Sequence, residues 1–172
     1  MKRRLRSALL PVLSVVLATT VGMAVNPPAA SANPTLSMFV TLYGWPDNDP
    51  PGGAIAYPDI HSTAGGTGTY SNPITFATDA DELAPGTIVY VPYLKKYFIM
   101  EDECAACEDD WSNGLRHIDL WVGGKGGDVN SVYDCEDSLT RDSASVVVNP
   151  LSNKTVDTTP LFKSSTNTCY SA

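Results

Sequence analysis

Between Tyr97 and Val122 the chain reads YFIMEDECAACEDDWSNGLRHIDLWV, and this stretch holds most of the side chains that could do chemistry. Asp102 follows the apolar Phe98, Ile99 and Met100, and Asp119 sits inside His-Ile-Asp-Leu-Trp. Successive side chains of a strand point to opposite faces, so Ile118, Leu120 and Val122 share one face and His117, Asp119 and Trp121 the other. An imidazole, a carboxylate and an indole on one face suit a sugar site. Trp121 would stack on a pyranose ring, and Asp119 would hydrogen-bond or transfer a proton. Spacing alone favours a plainer reading, a half-exposed strand whose outer face is simply polar. The two aspartates have a structural alternative as well, in which Asp102 caps a turn and Asp119 bonds backbone amides at a chain crossing.

The four cysteines are Cys104, Cys107, Cys135 and Cys169. An even count in a secreted chain implies two disulfides, and four cysteines leave three pairings open. Cys104-Ala-Ala-Cys107 also has the spacing of a redox pair or of half a zinc site. A redox pair would want a strand-to-helix setting, which the sequence does not display, and zinc would want a second close pair, which Cys135 and Cys169 do not form. Structural disulfides are therefore expected, and no metal. The preferred pairing joins each member of the close pair to one downstream cysteine, tying the acidic loop and the C-terminus to the core. Glu108-Asp109-Asp110 reads as a solvated loop, with calcium binding as a minor alternative.

Short strands must position these groups. Thr35 to Tyr43 is rich in β-branched and aromatic residues and reads as a strand, with Phe39, Thr41 and Tyr43 on one face. Gly44 to Gly53 is a dense run of turn formers carrying Trp45. Long loops inside compact domains often carry function, so Trp45 and Tyr57 are candidate stacking groups for a ligand, with Trp45 as a cap on the core equally open. The glycine-rich run Ala64 to Gly68 lacks the lysine of a phosphate loop, and His61 reads as a loop residue. Further strands are predicted over Ile74–Thr78, Thr87–Val91, Lys95–Glu101, His117–Val122 and Ser145–Asn149, with weaker signals over Lys154–Val156 and Leu161–Lys163. Asn130 to Thr140 is the one predicted helix. Many short strands and no helix of normal length predict a small, mainly β barrel.

The N-terminus reads as a processing segment. Lys2, Arg3, Arg4 and Arg6 precede a mostly apolar run from Ala8 to Val25, and Ala30-Ser31-Ala32 has the small-x-small pattern of a signal-peptidase site. A membrane anchor fits less well, given Pro11, Thr19, Thr20 and the adjacent cleavage pattern. The expectation is a signal peptide over residues 1–32 and a single secreted, extracellular, monomeric domain over 33–172. The whole chain has 11 basic and 19 acidic residues; the leader takes four of the basic ones, and seven against nineteen leaves the mature domain at −12. Such a charge disfavours nucleic acid and anionic membrane surfaces and is compatible with neutral polysaccharides or cationic partners.

Taken together, Pro85-Gly86-Thr87-Ile88-Val89-Tyr90-Val91, Tyr97 to Asp102 and His117-Ile118-Asp119-Leu120 resemble the six-stranded double-psi β-barrel group. That group includes the expansins, rare-lipoprotein-A-like domains, glycoside hydrolase family 45 endoglucanases and the three-aspartate domain of some lytic transglycosylases. Thr41-Leu42-Tyr43-Gly44 is similar to the opening of expansins. The resemblance implies a double-psi barrel with one short helix and two disulfides. The three-aspartate pattern falls on Asp79, Asp102 and Asp119, and the expansin pattern on Thr41, Asp102 and Asp119. Asp119 also matches the His-x-Asp element that supplies the general acid in family 45. Two departures stand out: Trp45 occupies the position of the family 45 base, with Asp47 nearby but out of register, and the Cys104–Cys107 insertion lies outside the common pattern.

Three functions follow as expectations. The first is expansin-like binding or loosening of a wall polysaccharide, peptidoglycan or a plant or fungal glycan, with Thr41, Asp102 and Asp119 at the site. Tyr43, Trp45, Asp79, His117 and Trp121 would contact the substrate. The second is glycan cleavage with Asp119 as general acid. The third is a secreted inhibitor or effector that uses the acidic loop Glu101–Asp110 to bind a protein partner. None of the three requires a cofactor.

Overall fold

The structure, a computed structural model, describes residues 33–171; the expected leader lies outside them. Six strands follow in chain order: β1 (Thr35–Gly44), β2 (Ile74–Ala77), β3 (Ile88–Val91), β4 (Lys96–Asp102), β5 (His117–Gly123) and β6 (Arg141–Val148). They close a barrel in the order β1-β5-β2-β4-β3-β6. β1 runs parallel to β5 and β2 parallel to β4, and the remaining neighbours are antiparallel. A closed six-stranded barrel with two parallel pairs is compatible with the double-psi arrangement. Val40, Leu42, Phe76, Val89, Phe98, Met100, Ile118 and Leu120 are buried in its core. β4 is buried at every residue, as expected of a strand covered on both faces.

Two helices accompany the barrel, where the sequence predicts one. α2 (Val129–Leu139) is the predicted helix; Asp128 caps it by accepting from Ser131 N–H at 2.9 Å. It buries Val132, Cys135, Glu136 and Leu139, a helical stripe. α1 (Ala105–Ser112) is the addition, built from the acidic run read as loop. Cys104 is its N-cap, accepting from Cys107 N–H at 3.1 Å, and Gly114 ends it at a positive φ of 81°. The strand-to-helix setting absent from the sequence reading is therefore present at Cys104-x-x-Cys107.

The disulfide pairing also differs from the expected one. Cys104 bonds Cys107, and Cys135 bonds Cys169. One turn of α1 brings the first pair to a Cα separation of 5.1 Å, and α2 packs beside β8 (Thr168–Cys169), which sets the second at 5.3 Å. β8 pairs with β7 (Phe162–Lys163), whereas Lys154–Val156 forms no strand. Side chains of β3 and β4 hold this tail to the barrel. Tyr90 donates to Thr155 O at 2.7 Å, Tyr97 to Leu151 O at 2.6 Å and Lys96 to Thr159 O at 2.6 Å.

The long β1–β2 connection, residues 45–73, is anchored by the end of β4. Glu101, fully buried, accepts from Ile60 N–H at 2.9 Å, His61 N–H at 3.0 Å and Thr75 O–H at 3.0 Å, and pairs with His61 Nδ1 at 2.7 Å. These contacts hold the carboxyl below the usual glutamate value against the opposing effect of its burial.

Candidate functional site

The parallel β1/β5 pair sets Phe39 beside His117, Thr41 beside Asp119 and Tyr43 beside Trp121. Because side chains alternate, Thr41, His117 and Asp119 share the face turned away from Val40, Ile118 and Leu120. Thr41 Oγ1 lies 2.7 Å from Asp119 Oδ1, to which it donates when that carboxyl is ionised, and 2.8 Å from His117 Nε2. α1 lies over this row and brings Asp110 to 2.8 Å from His117 Nδ1. Beyond β1 a tight turn sends Asp47 back toward the same row; its Oδ1 accepts from Gly44 N–H at 2.8 Å. The result is an open cleft of about 650 Å³ lined by Phe39, Thr41, Tyr43, Asp47, His117 and Asp119.

Burial dominates the electrostatics of the cleft. The Asp119 carboxyl is pushed up to about 7 by its burial, the Thr41 hydrogen bond opposing and the charges of Asp47 and Asp102 adding. Beneath it, Glu136 of α2 is 6% exposed and Oε1 has no hydrogen-bond partner. Burial, together with the charges of Asp47, Asp119 and Asp137, pushes this carboxyl up to about 8. Gly44 makes room for it: a Cβ there would stand 2.8 Å from Glu136 Oε1. His117 is held below the usual imidazole value by its burial, with Asp110 opposing.

Of the residues expected at the site, Thr41, Tyr43, His117 and Asp119 line the cleft. Asp102 does not. It is buried behind Tyr43, accepting from the Tyr43 hydroxyl at 2.8 Å, Ala56 N–H at 2.9 Å and Glu103 N–H at 3.0 Å, and its carboxyl is raised by burial. It ties the β1–β2 connection to the barrel and borders a neighbouring hollow of about 530 Å³. Asp79 accepts from Asp81 N–H at 2.6 Å and closes a turn. Trp121 is buried with its ring centre 5.2 Å from that of Tyr43 and lines a separate hollow beside Leu161 and Phe162. Trp45 carries the Lys125 ammonium 4.6 Å from its ring centre and lies outside the cleft lining. Tyr57 hydrogen-bonds Glu103. Cys104 lines the cleft, and the Cys104 and Cys107 sulfurs lie within 4.8 Å of a His117 nitrogen. Joined as a disulfide, they are not the thiolates that zinc requires.

Two groups are missing from the sequence reading: Asp110, read as part of a solvated run, and Glu136, in a helix with no motif around it. Asp47, read as near the family 45 base position but out of register, lines the cleft. No local signal marks α1: its N-cap is Cys104 and its third residue Cys107, which make no capping box, and only Cys107 of the helix is buried.

Residues 35–170 match the protein family described as the DDB_G0273701 N-terminal domain. The chain belongs to this family. A Dictyostelium discoideum protein named uncharacterized protein DDB_G0273701/DDB_G0273221 is 48% identical over 132 residues, covering 76% of this chain and 58% of that protein. The chain thus spans a little over half the length of this relative. No solved structure matches. The span matched to the DDB_G0273701 N-terminal domain takes in all six barrel strands, both helices and every residue of the cleft.

Proposed function

We propose that this domain is a secreted double-psi barrel that cleaves a cell-wall polysaccharide, with Asp119 as general acid. The observation that carries the reading is the Asp119 carboxyl at the cleft floor, holding its proton up to about pH 7 with Asp47 on the wall of the same cleft. An acid that is protonated near neutral pH can give its proton to a glycosidic oxygen, and a second carboxylate can activate water or steady the developing positive charge on the sugar. The motif resemblance to family 45 and to the three-aspartate domains supports the same assignment. Contacts to the glycan then come from Phe39, Tyr43 and the polar cleft wall, because the tryptophans lie elsewhere.

One observation favours the expansin-like alternative, loosening without cleavage: Asp47 Oδ1 is taken up by Gly44 N–H, which restrains it as a base. The test is release of soluble fragments from purified peptidoglycan, cellulose and chitin by the wild type and Asp119→Asn. Release that the variant abolishes supports cleavage. Sedimentation with a glycan but no release transfers the reading to loosening, and neither outcome leaves a protein partner to be sought.

A further inference from the structure

The hydrogen bonds of the cleft floor form one unbroken row. Asp110 Oδ2 stands 2.8 Å from His117 Nδ1, His117 Nε2 stands 2.8 Å from Thr41 Oγ1, and Thr41 Oγ1 stands 2.7 Å from Asp119 Oδ1. A neutral imidazole and a hydroxyl each have one proton to give, so such a row has a direction. We propose that Asp110, on the cleft rim, fixes this direction and thereby holds a proton on Asp119.

The steps are forced by donor counting. The Asp110 carboxylate accepts only, so Nδ1 of His117 must carry hydrogen. His117 is 3% exposed, and its burial favours the neutral ring, which leaves Nε2 bare. Bare Nε2 accepts, so Thr41 gives its hydroxyl proton to the ring. The Thr41 oxygen can then only accept from Asp119, and Asp119 must carry a proton to supply that bond. In the reverse direction Thr41 gives to an Asp119 carboxylate and His117 gives from Nε2. That leaves a bare Nδ1 facing the Asp110 carboxylate, lone pair against lone pair, unless the buried ring takes a second proton. Asp110 thus acts on Asp119 through two intervening side chains. It is a positioning residue, and its importance for turnover rests on the cleavage reading above.

Other ionisable groups face this row. Around Asp119 they are Asp47 from the β1–β2 connection, Asp102 from β4, Tyr43 from β1 and Glu136 from α2. Around His117, Glu82 from the β2–β3 turn accepts the backbone N–H at 3.1 Å and pairs with Arg116 at 3.4 Å. Asp109 of α1 also lines the cleft but makes no bond to the row.

The tautomer of His117 tests the proposal directly. The chain has two histidines, so ¹⁵N-labelled imidazoles in the full chain give resolvable long-range ¹H–¹⁵N patterns. The expected wild-type pattern is hydrogen on Nδ1 of His117. Asp110→Ala should move it to Nε2 and lower the midpoint of the Asp119 ¹³C-carboxyl titration by about one pH unit. Asp109→Ala removes a like charge from the same cleft and should leave the tautomer unchanged and shift the midpoint by less than about 0.3. Hydrogen on Nε2 in the wild type, or equal shifts in the two variants, would overturn the proposal. Neither readout uses a substrate, so a chain that cleaves no glycan still decides it.

Discussion

Glu136→Gln should make the protein more tolerant of alkali. Glu136 is buried beneath the cleft beside Asp47 and Asp119, and burial and repulsion raise its carboxyl from 4.5 to about 8. A carboxyl raised on folding binds its proton more tightly in the folded chain. Its contribution is full below about pH 4.5, declines as pH rises toward 8 and stays lost above that. At about 1.36 kcal/mol per pH unit that interval sets a ceiling near 5 kcal/mol, and relaxation around the charged group brings the expected effect to about 2–5 kcal/mol. Glutamine has nearly the same shape and cannot ionise. Urea unfolding of both proteins at about pH 5 and about pH 9 measures the difference of differences, so a constant penalty from the new amide cancels. The variant should gain at least about 2 kcal/mol on the wild type between the two conditions. Parallel curves, within about 0.5 kcal/mol, would refute the reasoning and mean that water or local opening already solvates this carboxyl.

Asp119→Asn should reduce fragment release by about a hundredfold or more while leaving glycan binding in place, measured by reducing-end release and by sedimentation. Since the acid must be protonated to act, wild-type release should fall about tenfold per pH unit above about 7, the direction opposite to that of a general base. Replacing Cys135 and Cys169 by serine opens a sequence separation of 34 residues, and replacing Cys104 and Cys107 a separation of 3. Loop-closure entropy then makes the first pair costlier by about 2 kcal/mol, readable in chemical denaturation without reductant. His61→Ala should cost about 1–3 kcal/mol at neutral pH by leaving the buried Glu101 carboxylate short of a partner, and proteolysis should then cut within residues 54–73 first.

The sequence made the barrel legible where period-2 alternation and β-branched residues coincide, as in Thr35–Tyr43 and His117–Val122, because a buried face imposes that pattern locally. Pairing Thr41 with Asp119 was reachable only through the motif resemblance, since strand register is a tertiary property. Alternation put Trp121 on the same face as Asp119, which is geometrically correct. What it could not reveal is that the tail around Leu161 and Phe162 covers that end of the face. The disulfide pairing was invisible for a similar reason: it depends on α1 forming where Glu108, Asp109 and Asp110 suggested solvent, and on α2 meeting the C-terminal ladder. Asp47 and Glu136 meet across 89 residues of sequence, a contact that no local pattern encodes.

The cleft is assembled from parts of unequal rigidity. Its floor is two paired strands whose hydrogen-bonded register sets Thr41 against Asp119, and its walls are the β1–β2 connection and α1. A mutation of the floor that shifts register by one residue would invert every side chain there, so the pairing of Thr41 with Asp119 is either kept or lost. The walls carry no paired register at the cleft: exchanging Asn48 and Asp49, or Ala105 and Ala106 of α1, changes the cleft lining while leaving the pairing of Thr41 with Asp119 untouched. For an engineer this separates two knobs. On the cleavage reading proposed above, a library confined to the wall residues would explore new ligands on an acid that stays in place.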